Sequence, residues 1–575
     1  MKKNKLYIAS VAFAALSLVT SCDSFLDKLP DDRAEVNTEE KVTSLLVSAY
    51  PTASSNLILE WSSDNYADNG KQYSTNQDIE QVYRFQPLTA QTNDSPKSLW
   101  NGYYSAIAAA NQALASIDEM GNPASLKAQR AEALLCRAYS MYRLATTFCM
   151  TYNPDNAEKC MGLPYPTKPE TTVSPDYKRG TLKQLYEQID ADIEAALPDV
   201  SDDIYTQPKY HFNQKAAYAF AARFNLYYMN YDKVITYASK VLGANPASLL
   251  RNYVPFMSLS NSEDIENRYI SSSENANLLL MTAFSQIGRN ISGNEARFCH
   301  NQNVGQYETI WAKMPWGSGS RDNTLYQSNL LFGNARILIF PKMFEHFEFI
   351  DKINQTGYLH VVDAVFTTDE TLLCRAEAYA MKKDYDNAVK DINTWIVSHT
   401  MTANGTAKRP TMTVESIKTF IESLPYAPVT PKSNLEHSIR KTFHPQGFTV
   451  EAGTQEDILQ FILQMRRLET LYQGLRFLDI KRYGIEFSHD VDEESPIVFK
   501  AGDLRGAIQL PDDVIEAGLP ANPREDLNQM CREYQQVLSM SEEEVFAMYE
   551  ESKTECVASF EVEIDYWENY FGYKY

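Results

Sequence analysis

Positive charge is scarce in this chain, and it is not gathered into a basic stripe. The 575 residues include 53 Lys and Arg against 75 Asp and Glu, which gives a formal net charge of −22. Nucleic acids and anionic lipids are bound by clustered Lys and Arg, so an acidic surface of this kind repels both. The sequence therefore argues against a DNA-binding or RNA-binding role.

Signatures of catalysis are also missing. The chain has no G-x-S-x-G, no H-E-x-x-H and no P-loop, and its 8 histidines are scattered from His211 to His489. A run of Asp and Asn that ends at Gly70 resembles a calcium loop, but Tyr66 stands where an oxygen ligand belongs and the glycine comes one position late. We therefore predict no enzyme, cofactor or metal site. A surface glycoside hydrolase is the least favoured alternative, since so many acidic residues form carboxylate pairs by chance.

Long apolar runs are missing except at the start. Three lysines precede an apolar run from Leu6 to Val19, and Thr20-Ser21-Cys22 follows it. A basic region, a short apolar region and small residues before a cysteine predict a lipoprotein signal over residues 1–21, with lipid on Cys22. No later run approaches the roughly 20 residues that a membrane span needs. Residues 22–40 then read as an extended tether, and the body as a globular unit held on a membrane by lipid.

Cysteines predict no disulfide framework. Cys22 accounts for one of 8, which leaves an odd number. Cys136 and Cys374 lie in apolar helical stretches and are expected to be buried thiols. Cys149 and Cys160 flank a short loop, and the sequence leaves a disulfide and two thiols equally open for them.

Apolar residues recur mostly at helical spacing, and several segments form pairs. The pairs are 100–120 with 126–150, 213–229 with 231–242, and 369–382 with 385–398. When Tyr231 is aligned with Tyr385, alanines or other apolar residues coincide along both helices of the last two pairs. The pattern predicts a mainly α fold with tetratricopeptide-like repeats at about 100–150, 181–243 and 369–398. A chance match between two alanine-rich helices is the alternative.

Three long stretches without helical periodicity separate these pairs, at about 52–98, 258–335 and 400–455. Loops of this length are uncommon unless they bind a ligand or are disordered, and their aromatic content argues against disorder. Two clusters combine aromatic rings with polar side chains, as sugar recognition requires. We predict that they contact a ligand: Trp61, Asp64, Asn65 and Tyr66 in the first, and Tyr307, Trp311, Trp316, Arg321, Asp322 and Asn323 in the second. The alternative for each tryptophan is that it only pins its loop to the body.

Several short motifs point together to one family. They are Cys22-Asp23-Ser24-Phe25-Leu26-Asp27, Trp100-Asn101-Gly102-Tyr103-Tyr104 before Asn111, Arg137-Ala138-Tyr139, Arg179-Gly180-Thr181 before Asp192, Tyr210-His211-Phe212-Asn213 before Arg223, Arg466-Arg467-Leu468-Glu469, Gly474-Leu475-Arg476 and Asp479 to Gly484. In combination, over about residues 20–524, they resemble the SusD/RagB family of nutrient-binding outer-membrane lipoproteins.

This resemblance implies an α-helical body, residues 41–524, in which tetratricopeptide-like hairpins pack against a loop-rich ligand-binding half with few short strands. It implies a surface lipoprotein that captures a glycan, or in RagB-like relatives a peptide, and passes it to a SusC-like TonB-dependent transporter. A scaffold that binds no small ligand is the remaining alternative. Residues 525–575 form an acidic, tyrosine-rich extension to which the resemblance assigns no role.

The segment from Arg466 to Gly484 has a simpler explanation than ligand binding. Arg466 and Glu469 are three residues apart, as are Arg476 and Asp479. On a helix this spacing places opposite charges side by side, so we predict ion pairs on one helical surface.

Overall fold

In the computed structural model, residues 36–171 and 177–524 are described. The predicted signal peptide, the lipid site at Cys22 and the extension 525–575 lie outside these ranges. The α-helices are α1 Glu39–Leu46, α2 Asn56–Trp61, α3 Gln77–Tyr83, α4 Pro96–Glu119, α5 Lys127–Phe148, α6 Leu182–Ala196, α7 Gln214–Tyr227, α8 Tyr231–Leu242, α9 Ser262–Tyr269, α10 Ile287–Arg289, α11 Gln302–Tyr307, α12 Thr368–Met381, α13 Tyr385–His399, α14 Val414–Glu422, α15 Thr454–Glu469, α16 Leu475–Tyr483 and α17 Asp512–Glu516. The first two residues of helix α1, Glu39 and Glu40, lie inside the predicted tether.

The helices begin where the sequence supplies caps. Ser95 caps α4, with Pro96 in its first turn, and Thr181 and Gln184 form a capping box at the start of α6. The helix pairs α4–α5, α7–α8 and α12–α13 are packed neighbours, and α6 lies against α5 while α8 lies against α12. The three predicted helix pairs are therefore confirmed, to within a few residues at their ends.

The α7–α8 and α12–α13 pairs share their turn residue by residue, as the alignment on Tyr231 and Tyr385 predicts. Met229 and Lys383 are both in the left-handed region, with φ of 64° and 62°. The next residues, Asn230 and Asp384, are both N-caps whose side chains accept a hydrogen bond from the backbone three positions on. A match at the level of backbone conformation supports a true internal repeat over a chance likeness.

Buried charges join the first helices to one another. The guanidinium of Arg137 in α5 donates two hydrogen bonds of 2.7 Å to the carboxylate of Asp192 in α6, and a third, of 2.8 Å, to Asn111 in α4. A planar guanidinium can bind a carboxylate through two parallel hydrogen bonds, which fixes both distance and angle. Three of the short motifs therefore meet at one structural cross-link.

The strands are mostly short, as the sequence predicts. They are β1 Ala67–Asp68, β2 Asn277–Ala283, β3 Phe298–Cys299, β4 Gly317–Ser318, β5 Asp322–Asn323, β6 Phe332–Asn334, β7 Ile337–Ile339, β8 Glu345–Asp351, β9 Thr356–Thr367, β10 Ala403–Asn404, β11 Ala407–Lys408, β12 Phe487–His489 and β13 Ile497–Phe499. The order β2-β9-β8 gives one antiparallel sheet, and the other strands pair in twos. The sheet lies against α7 and α12, and β9 leads directly into α12.

One apolar core runs through the described residues, from Val42 in α1 to Leu510 near the end of the body. It includes side chains of the stretches predicted as loops, among them Trp61, Ile79 and Trp316. These stretches contain short helices and strands and are for the most part anchored to the core. None of the described helices has both the length and the apolar character of a membrane span.

The cysteines of the described residues are free thiols. Cys136 and Cys374 are buried, as predicted, and Cys149 and Cys160 are not bonded to each other. Burial raises the pKa of the Cys149 thiol to about 12, because a thiolate is disfavoured in an apolar environment.

Candidate functional site

The first predicted cluster is largely inside the protein. The Trp61 side chain is 0% exposed, its Nε1 donates a 2.8 Å hydrogen bond to the carbonyl oxygen of Phe298, and its ring stacks on Tyr66 with 4.2 Å between centroids. Asn65 and Tyr66 are also buried. The expectation that these three side chains form an exposed sugar platform is therefore wrong, because loop 61–68 is folded into the core and pairs with β3.

Asp64 is the charged centre beneath this loop. Its carboxylate accepts hydrogen bonds of 2.8 and 2.7 Å from Arg476, and one of its oxygens lies 3.1 Å from the guanidinium of Arg467. Burial alone would raise the pKa of Asp64, but the Arg467 and Arg476 guanidiniums hold it well below its usual range. Asp64 is therefore an ionised structural anchor and not a ligand contact.

A second carboxylate completes the cluster. Glu308 accepts hydrogen bonds of 2.7 Å from Arg467 and 2.8 Å from Lys441, and Nδ1 of His437 lies 3.0 Å from its Oε1. Burial opposes ionisation of Glu308, but the charges of Lys441 and Arg467 lower its pKa to about 2. We call Asp64, Glu308, Lys441, Arg467 and Arg476 the anchor cluster. It connects Asp64, Glu308 and Lys441, one from each of the three stretches predicted as loops, to Arg467 in α15 and Arg476 in α16.

The second predicted cluster divides into buried and surface members. Trp316 is 0% exposed and packs against Trp395 and Phe461 at 5.8 and 5.9 Å between centroids. Asn323 is also 0% exposed and donates a hydrogen bond to the carbonyl oxygen of Ile310. Both side chains are therefore corrected from ligand contacts to supports of the loop.

The remaining members reach the surface. Tyr307 and Trp311 are half-buried, and Arg321 and Asp322 are exposed. The carboxylate of Asp322 accepts hydrogen bonds from the backbone and side chain of Thr406, which ties the β4–β5 turn to the β10–β11 turn. These contacts hold the backbone in place and leave the Arg321 side chain in solvent.

A third loop borders the same region. Helix α11, which ends at Tyr307, lies against the 3-10 turn Asn434–Glu436. The side chain of His437, which follows this turn, is 32% exposed and contacts Glu308 through Nδ1. We call Tyr307, Trp311, Arg321, Asp322 and His437 the loop face. The loop face combines two aromatic rings with charged and hydrogen-bonding side chains, and its members Tyr307 and His437 adjoin the buried Glu308 of the anchor cluster.

The Arg466–Gly484 segment is structural, as predicted, but its ion pairs differ from those predicted. Arg466 pairs with Asp479 at 3.0 Å, and Arg482 pairs with Glu377 at 2.7 Å and with Asp479 at 2.9 Å, all inside the protein. Arg476 is bound to Asp64. The correction follows from burial: both helices are enclosed, so Arg466 and Arg476 pair with residues of other elements, whereas Arg482–Asp479 is a pair within α16.

Glu308, Lys441 and His437 are site residues that were not predicted from the sequence. Lys441 lies 133 residues from Glu308, so no local spacing connects them. The β8–β9 hairpin, which exposes Phe347, Phe349 and Ile353, was not predicted either. Alternation of apolar and polar residues in β8 was the signal that could have revealed this hairpin.

An open pocket of about 430 Å³ lies elsewhere, lined by residues between Leu163 and Ala191 that include Tyr165, Arg179 and Gln184. None of its residues belongs to the predicted binding loops.

Family models match most of the chain. Residues 24–226 match the family described as "Starch-binding associating with outer membrane", and residues 292–567 match the SusD family. The second match runs past Arg524 into the segment predicted as an extension. SusD-like protein P38 from Formosa agariphila is 23% identical over 520 residues, which is 84% of this chain and 92% of that protein.

Solved structures share the fold at low identity. A SusD superfamily protein from Bacteroides thetaiotaomicron has a TM-score of 0.56 at 18% identity and covers 84% of this chain and 98% of its own. A protein described as a sugar-binding protein, from Bacteroides vulgatus, has a TM-score of 0.56 at 17% identity and covers 85% and 99%. A SusD-like carbohydrate-binding protein from the same species has a TM-score of 0.55 at 15% identity and covers 83% and 96%.

Proposed function

Because this chain belongs to the SusD/RagB family, we propose that it is a cell-surface lipoprotein that binds glycans and delivers them to a SusC-like TonB-dependent transporter. The sugar-binding and carbohydrate-binding descriptions of two structural neighbours support the ligand class. The predicted lipid on Cys22 supports attachment to the outer membrane.

The loop face is the observation that supports this function most directly. Tyr307 and Trp311 are half-buried, and Arg321 and Asp322 are exposed. Asn323, next to Asp322, donates to the carbonyl oxygen of Ile310, next to Trp311, which brings the two segments together. A pyranose ring has an apolar face that stacks on an aromatic ring, and its hydroxyls bind charged and polar side chains. The anchor cluster ties down Glu308, next to Tyr307, and His437, and a binding site that is already fixed loses less entropy when it binds.

The electrostatics favour binding over hydrolysis at this face. A glycoside hydrolase needs one carboxyl group that holds a proton at neutral pH and a second that is ionised. Asp64 and Glu308, the buried carboxylates under the face, both have lowered pKa values because of their Arg and Lys partners. Neither can serve as the acid, so we propose a non-catalytic role.

A binding screen tests the proposal. The protein without residues 1–22 is assayed by calorimetry against polysaccharides, host glycans and peptides, with Trp311→Ala, Tyr307→Ala and Arg321→Ala alongside. Loss of a glycan interaction by about tenfold or more in the variants is the expected result, since aromatic and Arg side chains dominate such sites. Tyr210→Ala is the matched control, because Tyr210 is 48% exposed and lies outside the loop face.

Two outcomes contradict the proposal. If only peptides bind, the protein belongs with the RagB-like peptide-capturing relatives. If a glycan binds and all three variants bind it as the wild type does, the ligand site lies elsewhere. Purification of the full-length protein from outer membranes tests delivery separately, because a transporter partner is expected to copurify with it.

A further inference from the structure

Three buried side chains from different helices meet under the second predicted cluster. Asp369 is in the first turn of α12, His399 is the last residue of α13, and Glu469 is the last residue of α15. Nε2 of His399 lies 3.0 Å from Glu469 Oε2 and 3.6 Å from Asp369 Oδ1. One atom of each residue lies within 4.8 Å of the other two, and the side chains are 0–2% exposed.

The histidine is oriented toward the two carboxylates by its other nitrogen. Nδ1 of His399 lies 3.0 Å from the carbonyl oxygen of Trp395, and the two rings stack at 4.0 Å. If Nδ1 donates to this carbonyl, Nε2 presents a lone pair to the carboxylates. A backbone carbonyl on the far nitrogen is the usual outer partner of a metal-binding histidine.

Two polar atoms that face this space have no hydrogen-bond partner among the described residues. They are Nε2 of His399 and Oδ2 of Asp369. Although Nε2 is close to Glu469, its geometry is not that of a hydrogen bond. Buried polar atoms without a partner are rare in native proteins, and an absent ion is one explanation for them.

Nearby cations do not pair with these carboxylates. The guanidinium of Arg251 donates to the carbonyl oxygen of Tyr269 and to Asn277, and the ammonium of Lys342 donates to the backbone carbonyl of Glu469. Among the described residues, His399 is the only side chain in salt-bridge range of Asp369 or Glu469. Two buried carboxylates that no described Lys or Arg side chain contacts within salt-bridge range carry a charge that a divalent cation balances.

We propose that Asp369, His399 and Glu469 bind one divalent transition-metal ion of the zinc class. An imidazole nitrogen with two carboxylates is a ligand set for zinc and its neighbours, whereas calcium and magnesium prefer oxygen alone. Zinc ligands at about 2.0–2.2 Å are roughly 3.4 Å apart in a tetrahedron, close to the 3.0 and 3.6 Å that separate His399 Nε2 from the two carboxylates. A bidentate Asp369, through its Oδ2, which is unpaired among the described residues, can complete a distorted four-coordinate site.

The role of the ion is structural. Trp395 donates from Nε1 to Glu469 Oε2 at 3.1 Å and packs on Trp316, and Thr400, next to His399, pairs with Leu325. The site therefore joins three helices under the loop that carries the loop face. Because the ligands are fully buried, the ion enters during folding.

Metal analysis of the full chain tests this proposal. The protein is unfolded with a chelator, refolded with zinc or Co²⁺, and passed through gel filtration. We expect one metal ion per chain by mass spectrometry, the visible absorption of tetrahedral Co²⁺, and a lower thermal midpoint after refolding without metal. Asp369→Asn and His399→Gln are expected to lower the metal content by about tenfold or more.

His346→Gln is the matched control, since Nε2 of His346 also lies 3.0 Å from a glutamate, Glu266, at a different place. It should keep the full metal content. The proposal is overturned if refolded wild type holds no stoichiometric metal and gives no Co²⁺ spectrum, or if both ligand variants hold as much metal as the wild type. The wild-type Co²⁺ spectrum decides the matter even where the variants do not fold.

Discussion

Arg476 donates two parallel hydrogen bonds to the carboxylate of Asp64, 2.8 and 2.7 Å long, although 412 residues separate the two in the chain. The pair is buried, and Arg467 binds the same carboxylate from the neighbouring helix. One short loop near the start of the body is thereby locked to two helices near its end. Arg467 also binds Glu308, the residue after Tyr307, so this lock extends to one edge of the loop face.

Asp64→Asn keeps the volume of the side chain and removes its charge. Two buried guanidiniums then lose their shared counter-ion, and we expect the free energy of unfolding to fall by about 3–5 kcal/mol. Urea or guanidinium denaturation followed by fluorescence measures it.

Glu493→Gln is the control for this prediction. Glu493 pairs with Lys71, close to the same loop, but both side chains are more than half exposed. Exposed pairs contribute little because water and salt screen them, so no measurable loss is expected. Equal losses of unfolding free energy in the two variants would show that the buried ion pair contributes no more to stability than the exposed one.

The helix pairs could be predicted from the sequence because helical periodicity and capping are local. Tyr231 and Tyr385 align, and the turns before them share positive φ at Met229 and Lys383. Both signals depend only on residues a few positions apart, which is why the predicted helix ends agree closely with those in the structure.

Whether each loop tryptophan is buried or exposed could not be predicted in the same way. Trp61 is buried by a contact with Phe298, 237 residues away, and Trp316 by Trp395 and Phe461. Whether an aromatic side chain in a loop faces solvent or the core depends on such distant partners, and composition alone does not identify them. Trp311 carries the same sequence signal and is half exposed.

Trp61→Ala separates the two roles of an aromatic residue in a loop. Because the ring is fully buried, truncation leaves a cavity and removes the hydrogen bond to Phe298, and we expect a loss of about 3–5 kcal/mol in unfolding free energy. Thermal and chemical denaturation measure it. Trp311→Ala is the comparison, and a smaller loss is expected there because its ring is only half-buried. Similar losses would contradict the difference in burial.

Lys383→Gly is expected to stabilise the protein. Lys383 has a φ of 62°, where a residue with a Cβ is strained by about 1–2 kcal/mol and glycine is not. Glycine also has more freedom in the unfolded chain, so the net gain is about 0.5–1 kcal/mol. The midpoint of thermal unfolding should rise.

The neighbouring Lys382→Gly is the control for that change. Lys382 is also exposed but has a φ of −85°, so glycine relieves no strain there and adds only unfolded-state entropy. A small loss of stability is expected. If both glycines destabilise, the left-handed conformation at Lys383 costs less than the entropy that glycine adds.

Asp94 makes stability depend on pH. It is buried, accepts hydrogen bonds from the Ser285 hydroxyl and the Gln286 backbone, and has a pKa raised to about 7, chiefly by burial. The folded state then holds a proton that an unfolded chain, with a pKa near 3.9, releases earlier. Stability from this group is full below about pH 4 and is lost as pH rises toward 7.

Asp94→Asn removes this titration. The amide keeps the oxygen that accepts from Gln286, so the variant should gain on the wild type by about 2–4 kcal/mol between pH 4 and pH 8, as a shift of about three pKa units implies. Denaturation curves at four pH values measure the difference between the two proteins, which cancels the carboxylates that they share. Asp118 is an exposed carboxylate in α4, and the free energy of unfolding of Asp118→Asn should change with pH as that of the wild type does. A constant difference between Asp94→Asn and the wild type across this range would mean that Asp94 is already ionised in the folded protein at pH 4.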